Sequence, residues 1–344
     1  MLMENLFEDK VVLITGGTGF LGRSITKKLL NTGVRSIRLF SRDEVKHHKT
    51  QEIFNNRKIR NLVGDVRDYV RLLKATKGVD IVIHAAALKR IDMIEYNVEE
   101  AIQTNIIGSL NVVRACLENS VKKVVFISTD KACSPVNTYG ACKFVSERIF
   151  SESNYNKGNA ETVFTVVRYG NVLESTGSVI PFFTNKIKKG DKIPLTHPDM
   201  TRFIISSDQA VDLIFNAVKY GRGGEIFVPK LPSMKISDLI EVLMERLEKK
   251  CEVEVSGIRP GEKIHELMIN EAEVPRTYSF NGLFVINPAI INPWIDKDEN
   301  DALKMDRLTP LEMQEYSSKD SVVSKEELKE IMKETLKDSG PYLE

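Results

Sequence analysis

Residues 10–22, KVVLITGGTGFLG, decide the fold. Lys10 to Thr15 is a short apolar run rich in β-branched residues, the mark of a buried strand. Gly16, Gly19 and Gly22 follow at once in a GxxGxxG spacing, and the chain continues as a helix through Ile25 and Leu29. Glycine permits the tight turn and lets backbone N–H groups approach a pyrophosphate at the helix amino end. A glycine motif alone is weak, and a purely structural turn is the plain alternative. The strand before it and the helix after it are the context that dinucleotide binding requires. Gly16, Thr18, Gly19, Phe20, Leu21 and Gly22 are therefore candidate cofactor contacts.

Working outward, a second strand, Ser36 to Phe40, ends in Ser41, Arg42 and Asp43, with Lys46 one turn later. At such a strand end an acid bonds a free ribose 2′-hydroxyl, whereas an arginine accommodates a 2′-phosphate. Arg42 and Lys46 favour NADP, Asp43 keeps NAD open, and the cations could simply be solvated. Asn61 to Gly64 leads to Asp65 and Val66, where an acidic side chain could meet an adenine amino group. Asp80 to His84 is another buried strand, running into Ala85, Ala86 and Ala87. These small residues would let backbone lie against a cofactor, or would merely make a tight turn. No metal partner is spaced for His84, which reads as a packed, hydrogen-bonded residue. Lys89 and Arg90 follow on an exposed loop. A helix from about Val98 through Ile107 and Val112 carries Asn105, expected to prop the catalytic loop.

That loop is Ser128 to Lys143, STDKACSPVNTYGACK. It leaves a buried strand, Lys123 to Ile127, so Ser128, Thr129, Asp130 and Lys131 emerge at the carboxyl edge where open parallel sheets bind ligands. Pro135 and Asn137 turn the chain, and a helix starting near Thr138 puts Tyr139 and Lys143 on one face. An ammonium beside a phenol lowers the phenol pKa and makes it a usable base. The plain alternative is an ordinary amphipathic helix face.

Strand and helix alternate through residue 170, which predicts a doubly wound parallel α/β (Rossmann) sheet. Residues 1–170 are the expected dinucleotide-binding domain, with returning elements from about 203–228. Residues 171–344 supply mainly a smaller, discontinuous substrate-binding lobe and a tail. Phe203 to Ile205 and Ile226 to Val228 read as short strands around a helix from Asp208 to Lys219. Ser237 to Lys249 reads as a helix capped by Ser237 or Asp238, and Ser324 to Leu336 as a helix in the charged tail after Pro293. Arg202 and Arg259 stand beside turn residues, and arginine's planar fork suits a sugar nucleotide diphosphate. A surface arginine in a loop is the alternative.

The 344 residues exceed the usual size of one domain. Forty-nine basic against forty-eight acidic residues give a net charge of +1, so no bulk attraction to nucleic acid is implied. The four cysteines, Cys116, Cys133, Cys142 and Cys251, lack CxxC spacing, which argues against zinc and a disulfide framework. No apolar run approaches a membrane span and the amino terminus lacks a signal-peptide core. A cytoplasmic, soluble protein without a metal is expected.

The glycine loop, the Tyr139 and Lys143 pair and the segment after Tyr169 resemble the extended short-chain dehydrogenase/reductases that act on nucleotide sugars. More narrowly, STDKA, AALKRIDMIEYN, VRYGNV, GSVIPFF, MTRF, GGEIFVPKLPSMK and RPGEKIHE resemble the inverting UDP-N-acetylglucosamine 4,6-dehydratases that begin pseudaminic acid synthesis, in order from about residue 8 to 320. The resemblance implies UDP-N-acetylglucosamine as substrate, tightly bound NADP and a homo-oligomer. It implies that Tyr139, tuned by Lys143, takes the proton of the sugar's 4-hydroxyl as hydride passes to NADP. Lys131 would then abstract the carbon 5 hydrogen, and a protonated Asp130 would help water leave from carbon 6, with Thr129 beside them. Reprotonation from the opposite face inverts carbon 5. Retaining relatives carry Asp-Glu where this chain has Asp130-Lys131.

The resemblance further implies substrate contacts at Lys89, Lys131, Tyr139, Asn171, Val179, Arg202, Arg259 and Glu262. It adds Lys89, Asn105, Thr129, Tyr139 and Lys143 to the cofactor contacts. As a base, Lys131 must be neutral part of the time, and burial beside a positive charge would push it there. The alternative is a loop ion pair between Asp130 and Lys131. The nearest rival activity is a 4-epimerase or a retaining dehydratase on the same scaffold; a dinucleotide-sensing binding module is the rival from another class.

Overall fold

The computed structural model describes residues 6–173, 175, 179–290, 306–307 and 312–337. Gly177 and Ser178 of the GSVIPFF block, and most of the tail after Pro293 up to residue 311, lie outside them.

The central apolar runs become strands because they are buried on both faces of one sheet, as a parallel sheet under helices demands, while the edge strand Ile59–Val63 buries chiefly Ile59. The first six strands are β1 (Val11–Thr15), β2 (Ser36–Ser41), β3 (Ile59–Val63), β4 (Ile81–His84), β5 (Lys123–Ile127) and β6 (Val163–Val167). Their order across the sheet is β3-β2-β1-β4-β5-β6, all parallel, the doubly wound arrangement whose order reverses beside β1. Strand Ile226–Pro229 adds in parallel to β6. The antiparallel hairpin Thr277–Phe280 and Leu283–Ile286 then extends the sheet, with Asp306–Arg307 at its edge, to ten strands.

The hairpin turns on Asn281 and Gly282, both at positive φ (47° and 77°), the tight-turn pair that right-twisted strands prefer. Strand Thr201–Ile205 joins a separate small sheet between Ser233–Lys235 and Asn171–Val172. Helix Ser207–Tyr220 buries Val211, Ile214, Phe215 and Val218 in the main core.

A second apolar core gathers Leu173, Ile180, Phe183, Ile187, Met234, Leu239, Ile240 and Leu243 with Leu328 and Met332 of the last helix, Lys325–Lys337. The tail thus returns to complete the smaller lobe. One helix cap differs from expectation. The helix over this region runs Ile236–Arg246, and its N-cap is Lys235, with no side-chain cap bond. Ser237 and Asp238 already lie inside the first turn, because strand Ser233–Lys235 feeds the helix directly.

Candidate active site

Four segments meet at the carboxyl edge of β1, β4, β5 and β6. At β1 the glycine turn is held tightly: Gly16 sits at φ +69°, and a side chain there would lie 3.0 Å from the Ala86 backbone. Helix α1 (Phe20–Leu30) begins behind Gly19 with no side-chain cap, so its first N–H groups are left for an anion, which the helix dipole favours. Ala86 N–H donates to the Thr15 hydroxyl at 3.2 Å, fixing the Ala85–Ala87 turn against the glycines. These features fit a dinucleotide pyrophosphate. Phe20 turns its ring into the core and Leu21 is half-buried against it, leaving their backbone for the anion.

At the end of β2, the Thr18 and Ser41 hydroxyls lie 2.8 Å apart, and Ser41 also meets His47 Nε2 at 3.0 Å. The Asp43 carboxylate accepts from Lys46 N–H at 3.0 Å as the cap of helix α2 (Glu44–Phe54). Arg42 and Lys46 remain exposed. Asp65 is gripped by Arg67, with Nη2 to Oδ2 at 2.7 Å, and faces Arg42 at 3.5 Å. The Val66 carbonyl accepts from Asn111 at 3.1 Å.

His84 is buried between the Thr15 hydroxyl (2.6 Å to Nδ1) and Ser109 (3.2 Å to Nε2). Burial, then the nearby Lys143 charge, depress its pKa to about 3. Asn105 is also buried, but it does not reach the Ser128–Asn137 loop as expected. Its amide accepts from Leu88 N–H at 2.8 Å and donates to Leu88 C=O at 2.9 Å, clamping the loop after β4 just before the exposed Lys89. It stands on a π-helical turn, Ile102–Ile107, between Val98–Ala101 and Gly108–Glu118, a distortion that helices tend to keep at functional positions.

The Ser128–Lys143 stretch folds as a short turn and a helix. Ser128 and Asp130 N–H groups donate to the carbonyls of Val167 (2.8 Å) and Tyr169 (3.1 Å), carrying the β5–β6 pairing outward. Asp130–Ala132 is a single 3₁₀ turn. Helix Thr138–Glu152 follows, capped by Asn137, whose side chain accepts from Gly140 N–H at 2.7 Å.

Asp130 is fully buried. Its Oδ1 accepts from Thr129 Oγ1 at 2.9 Å and from Lys131 Nζ at 3.0 Å, and its Oδ2 has no partner. Lys131 Nζ also lies 3.5 Å from Asn171 Oδ1 and 3.5 Å from Glu266 Oε1, with 19% of its side chain exposed. Two expectations are corrected here. Burial acts to neutralise Lys131, but the Asp130 and Glu266 carboxylates outweigh it and hold the pKa above that of a free lysine. In this state Lys131 is an ammonium. Lys143 does not reach for Tyr139: its Nζ donates to Ile127 C=O at 2.8 Å and lies 4.5 Å from the Phe126 ring centre. Burial brings Lys143 down to about 7 and pushes Tyr139 up to about 12; Lys131 is the cation that pulls the phenol down.

Loop 259–263 leans on this turn. Asn137 donates to Gly261 C=O at 2.8 Å, and Lys263 Nζ donates to Cys133 C=O at 2.6 Å. Arg259 is exposed, 4.0 Å from Glu262, whose Oε2 is buried without a partner. Arg202, expected to fork onto a diphosphate, is instead buried and bonded to the carbonyls of Thr201 (2.7 Å), Ile264 (3.0 Å) and Lys263 (3.0 Å). Asn171 and half-buried Val179 border the segment whose middle is undescribed.

The sequence reading passed over Glu266, although RPGEKIHE contains it. It also passed over the buried pair Glu147 and Glu273, which grip Arg168 on both sides (2.7 and 2.8 Å) and fix the end of β6 to the lobe. Among the described residues no group of His, Cys, Asp and Glu is placed to hold a metal ion, and no helix is long and apolar enough to cross a membrane.

Fold and site together define a dinucleotide-dependent enzyme with a Tyr-x-x-x-Lys helix and an acid–amine turn. The family model described as polysaccharide biosynthesis protein matches residues 12–288, and the chain belongs to that family of extended short-chain dehydrogenase/reductases. A UDP-N-acetylglucosamine 4,6-dehydratase (inverting) of Campylobacter jejuni is 47% identical over 297 residues, covering 86% of this chain and 87% of that protein. An uncharacterized membrane protein of Methanocaldococcus jannaschii is 42% identical over 340 residues, 96% and 98% of the two chains. A Rickettsia massiliae UDP-glucose 4-epimerase is 41% identical over 275 residues, 79% and 81%. Among solved structures, Pen from Bacillus thuringiensis superposes with a TM-score of 0.89 at 39% identity, covering 96% of this chain and 99% of that one.

Proposed function

We propose that this chain is a UDP-N-acetylglucosamine 4,6-dehydratase that inverts carbon 5, releases water and yields the 4-keto-6-deoxy L-arabino sugar, the entry to pseudaminic acid or a related glycan. The observation that carries the reading is the Lys131 amine, held inside the site at 3.0 Å from a buried acid and sharing an electrostatic field with Tyr139. An epimerase has no use for such a pair.

Bound NADP supplies reversible oxidation of the sugar. Arg42, Ser41 and Lys46 suit its 2′-phosphate, because the competing carboxylate of Asp43 is spent on capping α2. Lys131 is the cation that pulls the Tyr139 phenol down, and charge gained by the buried Lys143 on ligand binding would add to it, so that the phenol can take the 4-hydroxyl proton. With carbon 4 a ketone, the carbon 5 hydrogen becomes acidic. Lys131 must then be an amine and Asp130 an acid. One proton moved across the 3.0 Å between them converts the resting ion pair into that neutral pair at no change in net charge. Water expelled by a bound sugar favours the neutral pair, since low dielectric penalises separated charge. Asp130 delivers its proton to the departing 6-hydroxyl. Asn171 and the Arg259–Lys263 loop would bracket the sugar diphosphate.

We assign the enzyme to the cytoplasm as a homo-oligomer; Val98, Ile102, Ile107 and Val145 are exposed apolar side chains that an interface would cover. The second reading, a 4-epimerase, is favoured by the Rickettsia relatives. Product NMR separates the two: a dehydratase generates a methyl signal at carbon 6, and an epimerase generates none.

A further inference from the structure

Glu266 is a buried carboxylate for which the cycle above has no use. It lies at the start of strand Leu267–Ile269, on the substrate lobe, and points back into the acid–amine turn. Its Oε1 is 3.5 Å from Lys131 Nζ and 3.6 Å from Arg202 Nε, and its Oε2 is buried with no partner. The backbone on which it stands is fixed at both polar groups. Glu266 N–H donates to the Ser318 hydroxyl at 2.9 Å, and Ser318 N–H donates to Glu266 C=O at 2.9 Å. Ser318 in turn meets the Thr201 hydroxyl at 2.7 Å. The returning tail therefore places this carboxylate.

We propose that Glu266 is a positioning residue for Lys131, the counter-charge that the amine needs once Asp130 has become a neutral acid. This rests on the dehydratase reading. When Lys131 removes the carbon 5 proton, the C–H bond breaks, an N–H bond forms, and the electron pair passes into the enolate of the carbon 4 ketone. Lys131 is then an ammonium beside an uncharged Asp130, in a site from which the sugar has expelled water. Among the described residues Glu266 is the remaining anion within reach, and it stabilises the charge that develops on nitrogen. Arg202 cannot compete for all of it, because its Nη atoms are occupied by the carbonyls of Thr201, Ile264 and Lys263. Among the described residues, the charged and titratable groups facing Lys131 are Asp130 on its own turn, Tyr139 on the helix, Arg202 on its strand and Glu266. His265 lies beyond, bonded to Thr201 at 2.8 Å.

The test measures deuterium entry at carbon 5 against pH for the wild-type holoenzyme, Glu266→Gln and Glu266→Asp, with UDP-N-acetylglucosamine in deuterated water. Cofactor occupancy and thermal unfolding are recorded alongside. Without the carboxylate, Lys131 loses its proton more readily and is a weaker base. The acid limb of the Glu266→Gln profile should therefore move down by about one to three pH units, and the plateau rate should fall at least about tenfold with KM little changed. Glu266→Asp, which keeps the charge but withdraws it by one methylene, should shift in the same direction by less, and carries the test if the glutamine variant does not fold. Wild-type turnover with unmoved limbs in both variants overturns the inference. Wild-type protein that forms no methyl product overturns the dehydratase reading instead.

Discussion

Lys143 donates its ammonium to the carbonyl of Ile127, the last residue of β5, at 2.8 Å, and so lies under the floor of the site rather than against Tyr139 one helical turn away. Burial leaves that lysine poised near 7 and the phenol near 12. The pair is thus untuned until a ligand rearranges the charge around it. Replacing Lys143 with Met should remove the buried amine whose charge, once a ligand is bound, would supplement Lys131 in lowering the phenol. The pH at which carbon 4 oxidation begins should rise, and the rate at neutral pH should fall by about 10²- to 10⁴-fold. Stopped-flow absorbance of reduced nicotinamide checks both.

Lys131→Ala should slow oxidation at carbon 4, because the phenol loses its nearest cation, and should stop carbon 5 chemistry. The transient reduced cofactor should still form with substrate, while deuterium entry at carbon 5 drops by at least about 10²-fold. Normal incorporation of deuterium would remove Lys131 from the mechanism.

Arg42→Ala should weaken NADP far more than NAD. Losing one charged hydrogen bond to a phosphate costs about 1.5–3 kcal/mol, or roughly 10- to 100-fold in affinity. Calorimetric titration of cofactor-stripped protein with each dinucleotide gives the ratio, and equal losses for both would place the 2′-position elsewhere.

His84 makes the fold acid-sensitive. Its pKa is about 3 in the folded chain against an ordinary 6.5, so the unfolded chain takes up a proton that the folded chain refuses. Stability is complete above 6.5 and declines as pH falls from there towards 3. Between about pH 7.5 and pH 5 the loss is about 2 kcal/mol. In His84→Asn, which carries no group that titrates in this range, that slope should disappear from urea unfolding measured at the two pH values, whatever the variant's absolute stability.

Much of this was legible because it is local. The central strands of the parallel sheet, β1, β4, β5 and β6, are nearly continuous apolar runs, the glycine turn declares itself between strand and helix, and Tyr139 and Lys143 share a face by spacing alone. The Asn281–Gly282 hairpin was equally local, flanked by TYSF and LFVI, and was passed over; it adds two strands to the main sheet. What sequence could not give is pairing at a distance. Glu266 meets Lys131 only because the lobe folds back over β5, and with Asp130 its carboxylate reverses the expected charge state of the amine. Arg202 resembled a diphosphate clamp, yet it sits amid carbonyls of the Lys263–Ile264 backbone, which absorb its donors.

The central claim is that an amine at residue 131 moves the hydrogen of carbon 5 after the neighbouring hydroxyl has been oxidised. The most direct measurement is the proton NMR spectrum of the product formed from UDP-N-acetylglucosamine in deuterated water. The account predicts a carbon 6 methyl signal collapsed to a singlet by deuterium at carbon 5, with ring couplings of the L-arabino configuration. A product that keeps the carbon 5 proton and the original configuration, or one without a methyl group, contradicts it.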